Sequence, residues 1–371
     1  MKRADRSLFT NWWFQIDWWI LGLVVAFSFV GILTGIVSVN QRAAPSINKV
    51  AFLYLLAAAI FVVVPVVVGK KKTLVDLAWA WLAFCSVLLV MCWIMPNPNL
   101  VRETGAHRWA SAFGVSLMPI DLLKPAFIIL AAWFISSCRR IATEDWIADK
   151  ALWASGRWPA FLAAFGAFLA CMFIQPDLGN MFMYILTFSA MAFVVGIKWR
   201  YVFGGAAALT ATIAAASITH SHFRMRLMGV ADDWQATQSK IAIRNGGLWG
   251  QRADSFVFGQ VPMANNDFVF SEIAEMWGVV AGAALIAAMF WMFIMLIRRA
   301  NQAKDDFSML VIFGVAFMFA LHVMMNIFTA IGLFMKGTTL PFISYGGSSL
   351  IAFSLMFAAA LALARIDKWG K

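Results

Sequence analysis

The residues of this chain best suited to chemistry gather between His220 and Glu275, the longest interval without a credible membrane span. The interval holds the paired Asp232 and Asp233, a run of Arg and Lys, the glycines Gly246, Gly247 and Gly250, and then Asn265-Asn266-Asp267 just before apolar sequence resumes. So many polar groups beside a membrane are costly unless a ligand compensates them. The cations Arg224, Arg226, Lys240, Arg244 and Arg252 point to an anion, and Asp267 is the leading candidate for a reacting carboxylate. Its structural alternative is a helix cap, which Asp commonly provides. Glu272 and Glu275 stand three apart at the entry to the next helix, where Glu272 would equally suit a first-turn partner of the helix dipole.

Three other polar clusters accompany this one. Gly105-Ala106-His107-Arg108-Trp109 precedes an apolar segment that opens with Asp121 and Lys124. Three apart, these two share a helix face, and charge inside a membrane span is costly enough to suggest function, against a mutually neutralising structural pair. Gln175-Pro176-Asp177-Leu178-Gly179 occupies a short hairpin whose Pro, Asp and Gly are ordinary turn residues, whereas a turn has no need of Gln175. Lys336-Gly337 leads into Thr338-Thr339-Leu340-Pro341-Phe342-Ile343-Ser344-Tyr345-Gly346-Gly347-Ser348-Ser349. There Pro, glycine and serine break a helix entry so that backbone amides can face a polar ligand.

The elements that must position these groups are membrane helices. The 371 residues are 63% hydrophobic and only 13% charged, with 34 Phe and 18 Trp, and the mean hydropathy is +0.81. That excludes a soluble domain of this size. Apolar segments of helix-spanning length, without the alternation of an outer-membrane barrel, define an all-α polytopic membrane protein. Ten spans are predicted, near 18–39, 48–69, 73–95, 119–137, 158–174, 179–197, 201–219, 273–297, 308–333 and 343–364, with a long outer loop between the seventh and eighth. One membrane domain over 1–371 accounts for the whole chain. The first span follows a charged start with no cleavable leader pattern, so it is expected to remain as an anchor. Cys85, Cys92, Cys138 and Cys171 fall in apolar spans without ligand spacing and read as small core residues.

An even number of spans places both termini on one side. With the termini in the cytoplasm, 18 of the 29 Lys and Arg fall in cytoplasmic segments, as the positive-inside rule requires. All four polar clusters then face outward. The net charge of +11 is thereby explained by topology, and no nucleic-acid partner is implied.

The string PFISYGGSSLI, with KGTTL ahead of it, closely resembles the signature of the SEDS family, the FtsW and RodA type cell-wall polymerases. The other clusters follow in family order: GAHRW, PIDLLKPAF, QPDLG, DDWQATQSKIAIRNGGLWG and NNDFVFSEIAE. The resemblance spans about residues 15 to 365 and leans toward the FtsW branch of the divisome over RodA of elongation. It implies a ten-helix fold in the bacterial cytoplasmic membrane and polymerisation of lipid II at its outer face, by an inverting transfer that releases undecaprenyl pyrophosphate. It casts Asp267 as the catalytic carboxylate and Arg108, Lys124, Gln175, Asp177, Gln235, Lys336, Ser344 and Ser348 as substrate-binding positions. Asp121, Glu275, Gly346 and Gly347 are supporting residues.

The implied partners are a class B penicillin-binding protein and other divisome proteins. No metal-ligand pattern establishes a cofactor, and a divalent cation, magnesium or manganese, could share the pyrophosphate charge. The chain departs from the family pattern at Asn265-Asn266 (usually His-Thr), Ile120-Asp121 (Ser-Glu), Trp234 (Tyr) and Met276 (Glu). Two other readings stand beside the polymerase: a lipid II transporter, and a weakly active scaffold for the transpeptidase.

Overall fold

The computed structural model describes residues 17–39, 47–94, 108–112, 115–141, 177–196, 234–251, 264–333 and 337–369, with a few isolated positions between 159 and 211. Its helices are α1 (Trp18–Val39), α2 (Ile47–Val67), α3 (Lys71–Ile94), α4 (Pro119–Leu122), α5 (Lys124–Ile141), α6 (Leu178–Val194), α7 (Trp234–Gly246), α8 (Ala264–Asp267), α9 (Val269–Asn301), α10 (Asp306–Ala330) and α11 (Gly347–Trp369). The only strands among the described residues form a small ribbon, β1 (Ala110–Ala112) antiparallel to β2 (Val115–Leu117), with Ser111 opposite Ser116.

Seven stretches among the described residues are long and apolar enough to cross a membrane. They correspond to the first four and last three predicted spans. The sixth is the shorter apolar helix α6, and the fifth and seventh fall mostly outside the described residues. The long loop contributes α7, a helix of 13 residues that lies against α9.

The chain divides into two compact units: Met1–Leu74 with Trp234–Lys304 and Phe319–Lys371, and Val75–Asp233 with Asp305–Met318. In the first, α11 is the inner helix, 72% of its span being buried against 22% for α2. The exposed Phe52, Leu55, Val62 and Val63 of α2 would be costly in water but match an acyl-chain environment.

One end of this unit is tied by charge. Arg299 donates to Asp17 (2.5 Å), Lys71 to Asp367 (2.5 Å), and the Lys304 amide to the other Asp367 oxygen (3.2 Å). The N-termini of α1 and α3 and the C-termini of α9 and α11 therefore share one face. Asp267 lies beyond the opposite end of α9.

The second unit is organised by a helix break. Pro125 has no amide proton to offer the carbonyl four residues back, and regular helix stops at Leu122 and resumes at Lys124. Side chains from two other helices hold carbonyls at the break: Tyr184 of α6 donates to Ile120 (2.6 Å) and Trp81 of α3 to Leu122 (2.7 Å). Cys85, Cys92 and Cys138 are buried free thiols.

Candidate functional site

Asp267 closes the single turn of α8 and is half-buried. It does not cap α9: that position is Phe268, which has no side-chain hydrogen bond to make. The surrounding backbone is fixed from two directions. Asn326 of α10 uses its amide nitrogen to donate both to the Asp267 carbonyl (3.0 Å) and to the Thr338 carbonyl (2.5 Å). The Ser344 hydroxyl donates to the Asn266 carbonyl (2.6 Å) and accepts from the Leu340 amide (2.7 Å). Asn326 thus directs its amide nitrogen to both carbonyls, at a buried position where leaving a group unpaired would be expensive. Gly337 lies so close that a Cβ there would occupy the Asp267 carboxylate.

The segment from Gly337 to Gly346 is a series of turns ahead of α11. Within it Phe342 has φ 65, a strained value for a non-glycine residue. It is nonetheless held, buried against Phe61, Phe353 and Phe357, while Tyr54 donates to its carbonyl (3.0 Å). Gly346 is needed for space, since a Cβ would press on Thr339, whose hydroxyl shares a hydrogen bond with Ser349 (2.6 Å). Ser348 lies buried in the first turn of α11 beside Gly347.

The loop that carries Gln235 is locked to α9. Gln235 is half-buried on α7. Ser239 donates to the Ala330 carbonyl (2.6 Å), which leaves Ser271 to donate to Ser239 (2.5 Å). Asn245 donates to the buried Glu275 carboxylate (2.7 Å). Glu272 is buried one turn earlier, in the first turn of α9. At Gly278 (φ 86) α9 kinks, and hydrogen bonds are exchanged with the loop. The Glu275 carbonyl accepts from the Gln251 amide (2.9 Å), while the amides of Val279 and Val280 donate to Gly247 (2.9 Å) and Leu248 (3.3 Å). Gly278 and Gly250 (φ 91) both have positive φ, and a Cβ on either would strike the other strand of this contact.

The second unit carries a different constellation. Lys124 is fully buried and pairs with Asp121 (2.5 Å), whose side chain is 14% exposed. Asp177 caps α6, accepting from the Asn180 amide (3.3 Å) and side chain (2.8 Å). Arg108 is half-buried at the entry to the ribbon that leads to Asp121. Gln175, Lys336, Asp232 and Asp233 lie outside the described residues. No group of three or more His, Cys, Asp or Glu suited to holding a metal ion occurs among the described residues.

Asn326 and His322 are the residues that sequence reasoning missed. His322 is buried and shares a hydrogen bond with the Thr339 carbonyl (3.3 Å). Their signal was present: two polar side chains four apart inside an otherwise apolar span.

A multi-pass helical membrane protein with a half-buried carboxylate held at one end of its spans is the class defined by this fold and site. The chain matches the FtsW/RodA/SpoVE cell cycle protein family over residues 9–368, and it belongs to that family. It is 28% identical to the probable peptidoglycan glycosyltransferase FtsW of Caulobacter vibrioides, over 98% of this chain and 93% of the relative. It is 29% identical to stage V sporulation protein E of Bacillus subtilis, over 79% and 81%. Among solved structures, the Thermus thermophilus rod shape determining protein RodA superposes with a TM-score of 0.66 at 24% identity, covering 95% of this chain and 97% of that one. A chain from a peptidoglycan synthase complex described as coordinating polymerisation and crosslinking gives 0.72 at 23%, covering 96% and 99%.

Proposed function

We propose that this chain is a peptidoglycan glycosyltransferase that polymerises lipid II at the outer face of the cytoplasmic membrane, with Asp267 as general base. The observation that carries the role of Asp267 is its setting: a half-exposed carboxylate on a backbone pinned by Asn326 and Ser344, facing a glycine that leaves room beside it. Asp267 takes the proton from the 4-hydroxyl of the acceptor GlcNAc as that oxygen bonds to the anomeric carbon of the donor MurNAc. The bond from that carbon to the pyrophosphate oxygen breaks, configuration inverts, undecaprenyl pyrophosphate leaves with the electron pair, and the proton on Asp267 returns to water. Such base assistance contributes about 10²–10⁴-fold.

The charged end of the first unit, with Lys71, Arg299 and Lys304, supports a cytoplasmic placement of both termini and an outward-facing Asp267. The FtsW relative matched along nearly the whole chain supports a division role, and the likeness to a synthase-complex chain supports pairing with a class B penicillin-binding protein. Purified chain with lipid II, with and without that transpeptidase, is expected to yield glycan strands that Asp267→Ala abolishes. Strands made by Asp267→Ala at the parent rate would refute the base assignment. Movement of fluorescent lipid II between leaflets without strands would establish a transporter instead.

A further inference from the structure

The docked loop leaves a groove of about 420 Å³ lined by Lys240, Ile243, Arg244, Gly247, Leu248, Val279 and Ile331, within the usual range for a small-molecule site. None of these residues serves the chemistry described above. Lys240 and Arg244 are exposed and four apart on α7, so they project along one face. Neither has an ion-pair partner among the described residues. Lys240 lies over Gly332, where a Cβ would meet its ammonium.

The depth of the groove follows from α9. Twenty residues separate Gly278 from Arg298, about 30 Å of helix, which is about the thickness of the hydrocarbon core. Arg298, stacked on Trp291 (5.6 Å), marks one membrane boundary, and the Gly278 kink therefore marks the other. Val279 stands one residue from this boundary, and with Ile331 and Leu248 it forms the apolar wall of the groove beside the two cations. Trp249, 80% exposed, and Leu333, 70% exposed, lie beside the groove in sequence, as interfacial anchors do.

We propose that this groove binds one anionic phospholipid of the outer leaflet, its phosphate between Lys240 and Arg244 and an acyl chain along Ile243, Val279 and Ile331. A phospholipid fits better than the saccharide substrate, because the only polar side chains in the lining are two cations suited to one phosphate and the remaining lining side chains are apolar or absent. Because α7 also carries Gln235, Ser239 and Asn245, the bound lipid would steady the loop that reaches Glu275.

The test is native mass spectrometry of the full chain released from nanodiscs of phosphatidylglycerol mixed with phosphatidylcholine. The parent is expected to retain one phosphatidylglycerol. In Lys240→Gln/Arg244→Gln, retention should weaken about twenty-fivefold, from roughly a factor of five per cation at a membrane surface, with unchanged thermal unfolding in uncharged detergent. Equal retention by the parent and the double variant, or equal retention of the two lipids by the parent, would overturn the proposal. A double variant that unfolds is replaced by Leu248→Asn, which alters only the apolar wall and should also weaken retention; undiminished retention there counts against the site. Displacement of phosphatidylglycerol by equimolar undecaprenyl phosphate would assign the groove to the polyprenyl carrier and overturn the phospholipid assignment.

Discussion

Asp267 and the Lys124–Asp121 pair are both charged groups in an apolar protein, but they are held in opposite ways. The Lys124 side chain is fully enclosed and its charge is met at 2.5 Å by a neighbour on the same helical face. At Asp267 the hydrogen bonds described fall on the backbone, at its own carbonyl and at that of Asn266, and the residue is half-exposed. A buried pair fixes a charge in place, because separating its members strands one of them in low dielectric. A half-exposed carboxylate on a pinned backbone can accept a proton without dismantling the fold. The first arrangement suits a constant field and the second a proton acceptor.

The sharpest way to break that contrast is to change each group and ask whether rate or stability responds. Asp267→Asn is expected to lower polymerisation of lipid II by about 10²–10⁴-fold while thermal unfolding in detergent stays close to the parent. Lys124→Met should do the reverse first: it leaves Asp121 without its partner and should cost about 3–5 kcal/mol of stability, read as a lower unfolding midpoint. Adding Asp121→Asn should recover most of that loss. If the double variant then polymerises normally, the pair is structural; if it is stable and inactive, the positive charge is needed for the reaction.

Gly337→Ala tests the space beside the carboxylate. Its Cβ would sit on Asp267, so activity should fall at least tenfold with a smaller change in midpoint, measured by the same two assays. The smallest effect is expected at Ser344→Ala, which removes one hydroxyl between the Leu340 amide and the Asn266 carbonyl and should cost about 1 kcal/mol. Asn326→Ala should cost more, because two carbonyls lose their donor together.

The helices were legible because membrane spans declare themselves by uninterrupted apolar length, and the same logic singled out Asp121 with Lys124. Cluster membership was legible too. Asp267, Ser344 and Gly337 were marked by residue type, and the structure brings them together although they lie far apart in the chain. The manner of holding was not legible. Nothing in Asn245 or Gln251 announces that they answer Glu275, because that contact depends on where the loop returns to α9. The kink at Gly278 was hidden for a related reason: a glycine in a membrane helix is common, and only the loop carbonyls of Gly247 and Leu248 show why the helix opens there. The capping role considered for Asp267 failed on a single-residue offset, since Asp267 closes α8 and the cap position of α9 is Phe268.

The clamp on Asp267 also dictates an order of events during synthesis. Asn326 and Ser344, which secure the Asp267 and Asn266 carbonyls, follow them by 59 and 78 residues, so while Asp267 is being threaded into place neither donor has left the ribosome. Contacts of such separation close late, after intervening chain has been made and inserted. A nascent or prematurely terminated protein lacking α11 and the turns before it would carry the carboxylate but not its setting. The activity proposed for Asp267 would therefore arise only in a chain completed almost to its last helix.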